Sequence, residues 1–204
     1  MNDEINGERN SEGTNMSSGI KNENKKESFL SSLYDWIEVV SISVIIVIMI
    51  FTFVARLSTV DGDSMYPTLI DGERLIVSDL FYSPENGDIV VLQEKNAFFT
   101  SPLVKRIIAQ EGQTIDFDYE NWGVYVDGEK LTEPYINREL EKAMKNYGSP
   151  DSITVPEGHI FVMGDNRNHS TDSRDSLVGF VEYDEIIGKV VFRLFPFSRI
   201  GAVK

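Results

Sequence analysis

Three short stretches carry residue types that could do chemistry together. The first is Asp61-Gly62-Asp63-Ser64-Met65-Tyr66-Pro67-Thr68-Leu69, a polar turn in which Gly62 permits close backbone approach and Pro67 stiffens the residues after it. A serine in such a turn can present both its hydroxyl and its own N–H to a carbonyl. The second is Leu103 to Ile108, LVKRII, where Lys105 and Arg106 interrupt an apolar strand. Strand alternation sets Lys105 on the face of Leu103 and Ile107, and Arg106 with Val104 on the other, so one of the two basic residues faces the packed side. Burial disfavours the charged ammonium, and a lysine tuned toward a pKa of ~7–8 supplies a free amine as base. The third is Gly164-Asp165-Asn166-Arg167-Asn168-His169-Ser170-Thr171-Asp172-Ser173-Arg174, directly after the apolar run HIFVM. It predicts a buried polar network in which Asp165 or Asp172 pairs with Arg167 or Arg174.

Each stretch also has a plainer reading. The Ser64 turn could be a polar entry to a strand, and Lys105 could snorkel with its ammonium in water. A calcium loop starting at Asp165 fails, because Arg167, His169, Ser170 and Ser176 stand where Asp or Asn, Asp or Asn, Gly and Glu are required. The chain has no cysteine, which excludes disulfides, thiolate zinc sites, Fe–S clusters and a thiol nucleophile. Its only histidines are His159 and His169, so a metal site would have to lean on carboxylates; no metal and no cofactor is expected. A net charge of -14 and a pI near 4.5 argue against nucleic acid as a partner.

These elements must be positioned by a fold. From Val60 onward the texture is β. RLIVS (74–78), DIVVL (88–92), LVKRII (103–108), residues 113–117, HIFVM (159–163) and GKVVFRL (188–194) read as strands. Asp127-Gly128 within residues 123–131 signals a hairpin. Arg138 to Tyr147 reads as a helix ended by Gly148 and Pro150. The expected class is mostly β, an antiparallel domain over residues 57–204.

Ahead of it, Val39 to Ala55 carries no charged residue, and Trp36 and Ile37 extend the zone to about the ~20 residues that cross a bilayer. Cleavage after Ala55 or Ser58 would put Phe53 or Arg56 at the -3 position, where a small residue is wanted. Residues 29–56 therefore read as an uncleaved signal anchor in membrane lipid. Lys21, Lys25 and Lys26 favour a cytoplasmic N-terminus, which puts the β domain outside. Residues 1–28 hold few apolar side chains and read as a disordered cytoplasmic tail.

In this order, behind an anchor, the motifs resemble the type I signal peptidases, in particular the short single-anchor form of Gram-positive bacteria. The likeness runs from Phe29 to Lys204 through SMYPTL, GERLIV, NGDIVV, VKRIIAQEG, VPEGHIFVMGDNRNHSTDSR and IIGKVVFRLFP. It implies a membrane-bound serine endopeptidase that removes signal peptides from secretory preproteins, with a β-rich fold shared with the self-cleaving repressor proteases. It implies Ser64 as nucleophile and Lys105 as general base, Ser170 bonded to the lysine, and Asp165 and Arg174 as residues bracing the site through a salt bridge. Val60, Met65, Leu69, Leu103 and Val104 would line small pockets for the residues at -1 and -3, with the substrate strand adding near Asp61–Gly62 and Pro102–Leu103. The Ser64 N–H would be one oxyanion donor. Some relatives carry a serine at the place of Gly62 as the second, and that donor is missing here. Three rivals remain: a self-cleaving repressor-type protease, a non-catalytic anchored assembly factor, and a Ser–His–Asp hydrolase using His159 or His169. The first lacks a DNA-binding domain here, the second should lack Ser64 or Lys105, and the third depends on the histidines.

Overall fold

The computed structural model describes residues 32–49, 55–93, 101–139 and 142–203, and the chain divides into two units, 1–50 and 51–204. In the first unit Ser32–Met49 forms helix α1, long and apolar enough to cross a membrane. Two of its serines donate inward: Ser41 to the Ile37 carbonyl and Ser43 to the Val39 carbonyl, both at 2.7 Å. The hydroxyls thereby satisfy themselves within the helix, as an apolar surrounding demands. The tail 1–28 and the end of the expected span, residues 50–54, lie outside the described residues. Arg56, expected within the anchor, instead opens a strand.

The described residues of the second unit form twelve strands, all paired antiparallel: β1 (Arg56–Thr59), β2 (Arg74–Ser78), β3 (Ile89–Leu92), β4 (Leu103–Gln110), β5 (Thr114–Asp118), β6 (Gly123–Val126), β7 (Glu129–Lys130), β8 (Ser152–Thr154), β9 (His159–Met163), β10 (Val181–Glu182), β11 (Ile186–Phe195) and β12 (Gly201–Ala202). The larger sheet runs β1-β2-β11-β3-β4-β9-β10 with β12 on β11, and the smaller runs β7-β6-β5-β8. The mostly β expectation holds. The Asp127-Gly128 hairpin is also present: both residues have positive φ, +52° and +82°, as a two-residue turn between β6 and β7 requires.

In β2 the core side alternates, with Leu75 and Val77 buried. In β3 and β4 it does not, because both faces are covered. Val104 packs with Val60, Met65, Leu69, Leu75 and Val91, whereas Leu103 and Ile107 pack on the side of Val90, Leu92, Ile160 and Val162. Double coverage buries both basic residues of β4, Lys105 at 2% and Arg106 at 3% exposure. The expectation of one buried and one exposed head is corrected by this layering.

The helix expected over Arg138–Tyr147 is absent from its described residues. Its backbone groups are claimed by tertiary partners instead. Met144 N–H donates to the Tyr119 carbonyl, Trp122 Nε1 to the Lys142 carbonyl, Lys145 N–H to Asn168 Oδ1, and Arg174 to the Lys145 carbonyl. Those bonds replace the i→i−4 ladder that a helix needs.

Candidate active site

Ser64 lies in the turn between β1 and β2. The neck of this loop is closed by backbone bonds from Val60 N–H to Glu73 O and from Gly72 N–H to Val60 O, both 2.9 Å. Inside it, Tyr66 N–H donates to Asp63 O at 3.0 Å and Leu69 N–H to Met65 O at 2.9 Å, while Met65 and Leu69 plug the loop into the core. Gly62 has φ +83° and its N–H is taken by Asp71 Oδ1 at 2.8 Å. The Ser64 N–H has no hydrogen-bond partner among the described residues.

Lys105 Nζ reaches across from β4 to within 2.9 Å of Ser64 Oγ and 3.1 Å of its neighbour's carbonyl, Val104 O. The sheet pairs β4 with β3 from Leu103 onward but with β9 only from Arg106 onward. The first residues of β4 are thus open on one side, beside the amine. His159 and His169 are engaged elsewhere, on Glu157 O and Glu139 respectively.

The polar loop after β9 closes around the turn. Asn166 N–H donates to Ser64 O at 3.0 Å and Asn166 Nδ2 to Asp63 O at 3.0 Å. Asp165 takes Thr68 Oγ1 on one side and Arg106 Nε and NH2 on the other, both at 2.8 Å. Burial works against the Arg106 charge, but the Asp165 bonds outweigh it and hold the guanidinium protonated. The Tyr135 ring stacks 3.8 Å from the guanidinium carbon. Asp172 forks onto Arg174 through Nε at 2.9 Å and NH2 at 2.8 Å, and accepts the Gly164 N–H at 3.0 Å. Burial alone would raise the Asp172 carboxyl; the charge and bonds of Arg174 reverse this and hold it below the usual carboxylate range. Arg167 pairs with Glu133, both fully enclosed. Three buried guanidinium–carboxylate pairs therefore stand behind one serine and one lysine.

The chain matches the family described as Signal peptidase, peptidase S26, over residues 33–195. It belongs to that family. Signal peptidase I of Bacillus licheniformis is 38% identical over 189 residues, covering 88% of this chain and 96% of the relative. Signal peptidase IB of Staphylococcus aureus is 35% identical over 182 residues, 82% of this chain and 92% of the relative. The crystal structure of a signal peptidase I from Enterococcus faecalis V583 is 28% identical, with a TM-score of 0.45, and covers 54% of this chain and 98% of that one. The chain is thus a peptidase, and the resemblance seen in its motifs stands.

Within this peptidase, Ser64 and Lys105 are in contact. Ser170 is buried against Gly164, where a Cβ would collide with it and with the Ser64 carbonyl. Its Oγ helps to lower the Asp172 carboxyl but makes no hydrogen bond of good geometry among the described residues. Asp165 and Arg174 do not pair with each other: Asp165 binds Arg106 and Arg174 binds Asp172. Of the expected pocket residues, Val60, Met65, Leu69 and Val104 share one cluster, and Gly62 is exposed beside them. Leu103 belongs to the opposite face, because it is one residue from Val104 on a period of two. Sequence reading missed Arg106 as the partner of Asp165, Thr68 as its second donor, Asn166 as the brace on Ser64, and Glu133 as the partner of Arg167. The two adjacent basic residues of VKRII carried a signal for the first, since a second buried cation obliges a buried acid.

Proposed function

We propose that this peptidase removes signal peptides from exported preproteins, with Ser64 as nucleophile and Lys105 as general base. The observation that carries the reading is the 2.9 Å contact between Lys105 Nζ and Ser64 Oγ, made by an amine that is 2% exposed. Burial favours the neutral amine, the form able to accept a proton. Ser64 Oγ attacks the scissile carbonyl as its proton passes to Nζ. The oxyanion lies against the Ser64 N–H. Lys105 then protonates the leaving amine, and a water deprotonated by the same amine hydrolyses the acyl-enzyme, returning the proton to Ser64.

The substrate strand adds to the open side of β4 at Leu103–Lys105, between it and Asp61–Gly62. The small residues at -1 and -3 seat against the Val60, Met65, Leu69 and Val104 cluster. Helix α1 anchors the chain in the cell membrane, with the N-terminus in the cytoplasm and the β unit outside, where the exported end of a preprotein is presented.

Incubation of the purified chain with a labelled preprotein in detergent tests the reading. Ser64→Ala and Lys105→Ala should each abolish cleavage with circular dichroism unchanged. The His159→Gln, His169→Gln double variant should cleave, and its rate should rise with pH as the parent's does. Turnover by either dyad variant, or loss of the rising limb with the histidines, overturns it.

A further inference from the structure

The Ser64 loop is gripped from a second side by groups to which the motifs assign no role. Glu73, at the neck of the loop, is buried, with 2% exposure, and its Oε1 lies 3.1 Å from Arg193 NH1 on β11 and 2.7 Å from Arg199 NH1. Arg199 closes a short 3-10 turn, Phe197–Arg199, beyond β11. Its other terminal nitrogen, NH2, donates to the carbonyls of Pro67 and Thr68, both at 3.2 Å. One guanidinium thus ties the neck of the loop to its crest, three and four residues past Ser64. Only a planar fork can face a carboxylate with one nitrogen and two carbonyls with another. Thr68 is thereby fixed at both ends, its hydroxyl on Asp165 and its carbonyl on Arg199.

We propose that Glu73 and Arg199 form a strap that positions the Ser64 hydroxyl for attack. Both are positioning residues: neither touches the substrate or Lys105. The inference rests on Ser64 being the nucleophile. The Asp165–Asn166 side fixes the peptide at Ser64 itself, and the strap fixes the segment after it. With the strap cut, the crest of the loop keeps its fold but gains freedom to tilt, and Oγ drifts from the line between Nζ and the scissile carbonyl. Misplacement of a reacting group by ~1 Å costs about a hundredfold in rate. A loop still held on one side should lose about tenfold. The loss belongs chiefly in kcat, because the strap holds Pro67 and Thr68, whereas the substrate strand pairs with β4 and Asp61–Gly62.

The test is steady-state cleavage of one labelled preprotein by the full-length chain in detergent, with Ser64→Ala run in parallel. Arg199→Ala should lower kcat about tenfold or more with KM within about twofold. Because Arg199 is partly exposed, added methylguanidinium should restore part of the lost kcat. Glu73→Gln should lower kcat in the same direction, and should lower it little further in the Arg199→Ala background, since one group acts through the other. Arg199→Lys keeps the contact with Glu73 and cannot span to both carbonyls; it should melt with the parent and still lose kcat. If Arg199→Ala fails to fold, Arg199→Lys carries the decision. Parental kcat in the folded variant, a loss confined to KM, or no response to methylguanidinium overturns the strap. Activity in Ser64→Ala would instead overturn the nucleophile, a separately visible failure.

Discussion

Gly164 is the residue whose replacement asks most of the site. It has an ordinary φ, so alanine there suffers no backbone strain, and the whole effect is steric. A Cβ built at Gly164 overlaps Ser170 Oγ and Ser170 Cβ, and stands 2.5 Å from Ser64 O. Contacts of a real Cβ essentially never fall below 3.0 Å, so the Ser64 carbonyl must retreat by at least about half an ångström. The carbonyl cannot move alone, because Asn166 N–H holds it at 3.0 Å. Overpacking of this kind costs ~1–3 kcal/mol of stability. Half of a displacement that costs about a hundredfold in rate costs about tenfold, so Gly164→Ala should lose about tenfold or more in kcat while melting only moderately lower. Initial rates on one preprotein, with thermal melts of the same samples, measure both. The Ser170→Gly, Gly164→Ala double variant removes the side-chain overlaps and leaves the Ser64 one. It should regain stability but not rate. A Gly164→Ala rate within about twofold of the parent would falsify the claim that this glycine sets the Ser64 backbone.

Two further outcomes come from the same geometry. The Asp172 carboxyl is held below its unfolded pKa of ~3.9, so its contribution to stability is in full force above that value and is lost as pH falls through the lower folded one. Asp172→Asn should be several kcal/mol less stable at neutral pH, of order ~3–5 for one broken buried pair, and should show a shallower acid limb in denaturant melts across that window; an unchanged limb refutes the linkage. At Gly62, φ is +83° and nothing lies within 4 Å of a new Cβ, so Gly62→Ser meets strain of ~1 kcal/mol or more but no clash. It should stay within about tenfold of the parent rate, ~1.4 kcal/mol of barrier, and Gly62→Val should be slower; a Val variant as fast as the Ser one would show that position 62 does not face the oxyanion.

Local patterns in the sequence were legible where one element decides the outcome. The strands at 74–78, 89–92 and 159–163 arise from β-branched runs bounded by glycine, and the Asp127-Gly128 hairpin from two residues that tolerate positive φ. Lys105 stood out because an apolar strand disfavours a charge, and Ser64 because the glycine and proline of its turn could present its hydroxyl. What failed was whatever a distant segment decides. Residues 138–147 have a helical composition, but Tyr119, Trp122, Asn168 and Arg174 take their backbone groups. Leu103 and Val104 look alike in sequence, and only the register with β3 assigns them to opposite layers. Asp165, Asp172, Arg167 and Arg174 were recognisable as a charged network. The Asp172–Arg174 pair was among the pairings expected, but the partners of Asp165 and Arg167 were not, because Arg106 and Glu133 come from strands and loops far away in the chain.

Three of the contacts that hold the Ser64 turn join residues about a hundred or more positions apart: Thr68 with Asp165 at 97, Asp63 with Asn166 at 103, and Pro67 with Arg199 at 132. A ribosome delivers them in that order. The segment bearing the hydroxyl is synthesised early, while the last tie comes from a residue beyond β11. A growing chain therefore carries its Ser64 slack for most of the synthesis of its β unit, and a chain cut short after Pro196 would own every motif residue yet lack the final tie. The protein is built so that its cutting edge is drawn taut only late in its making.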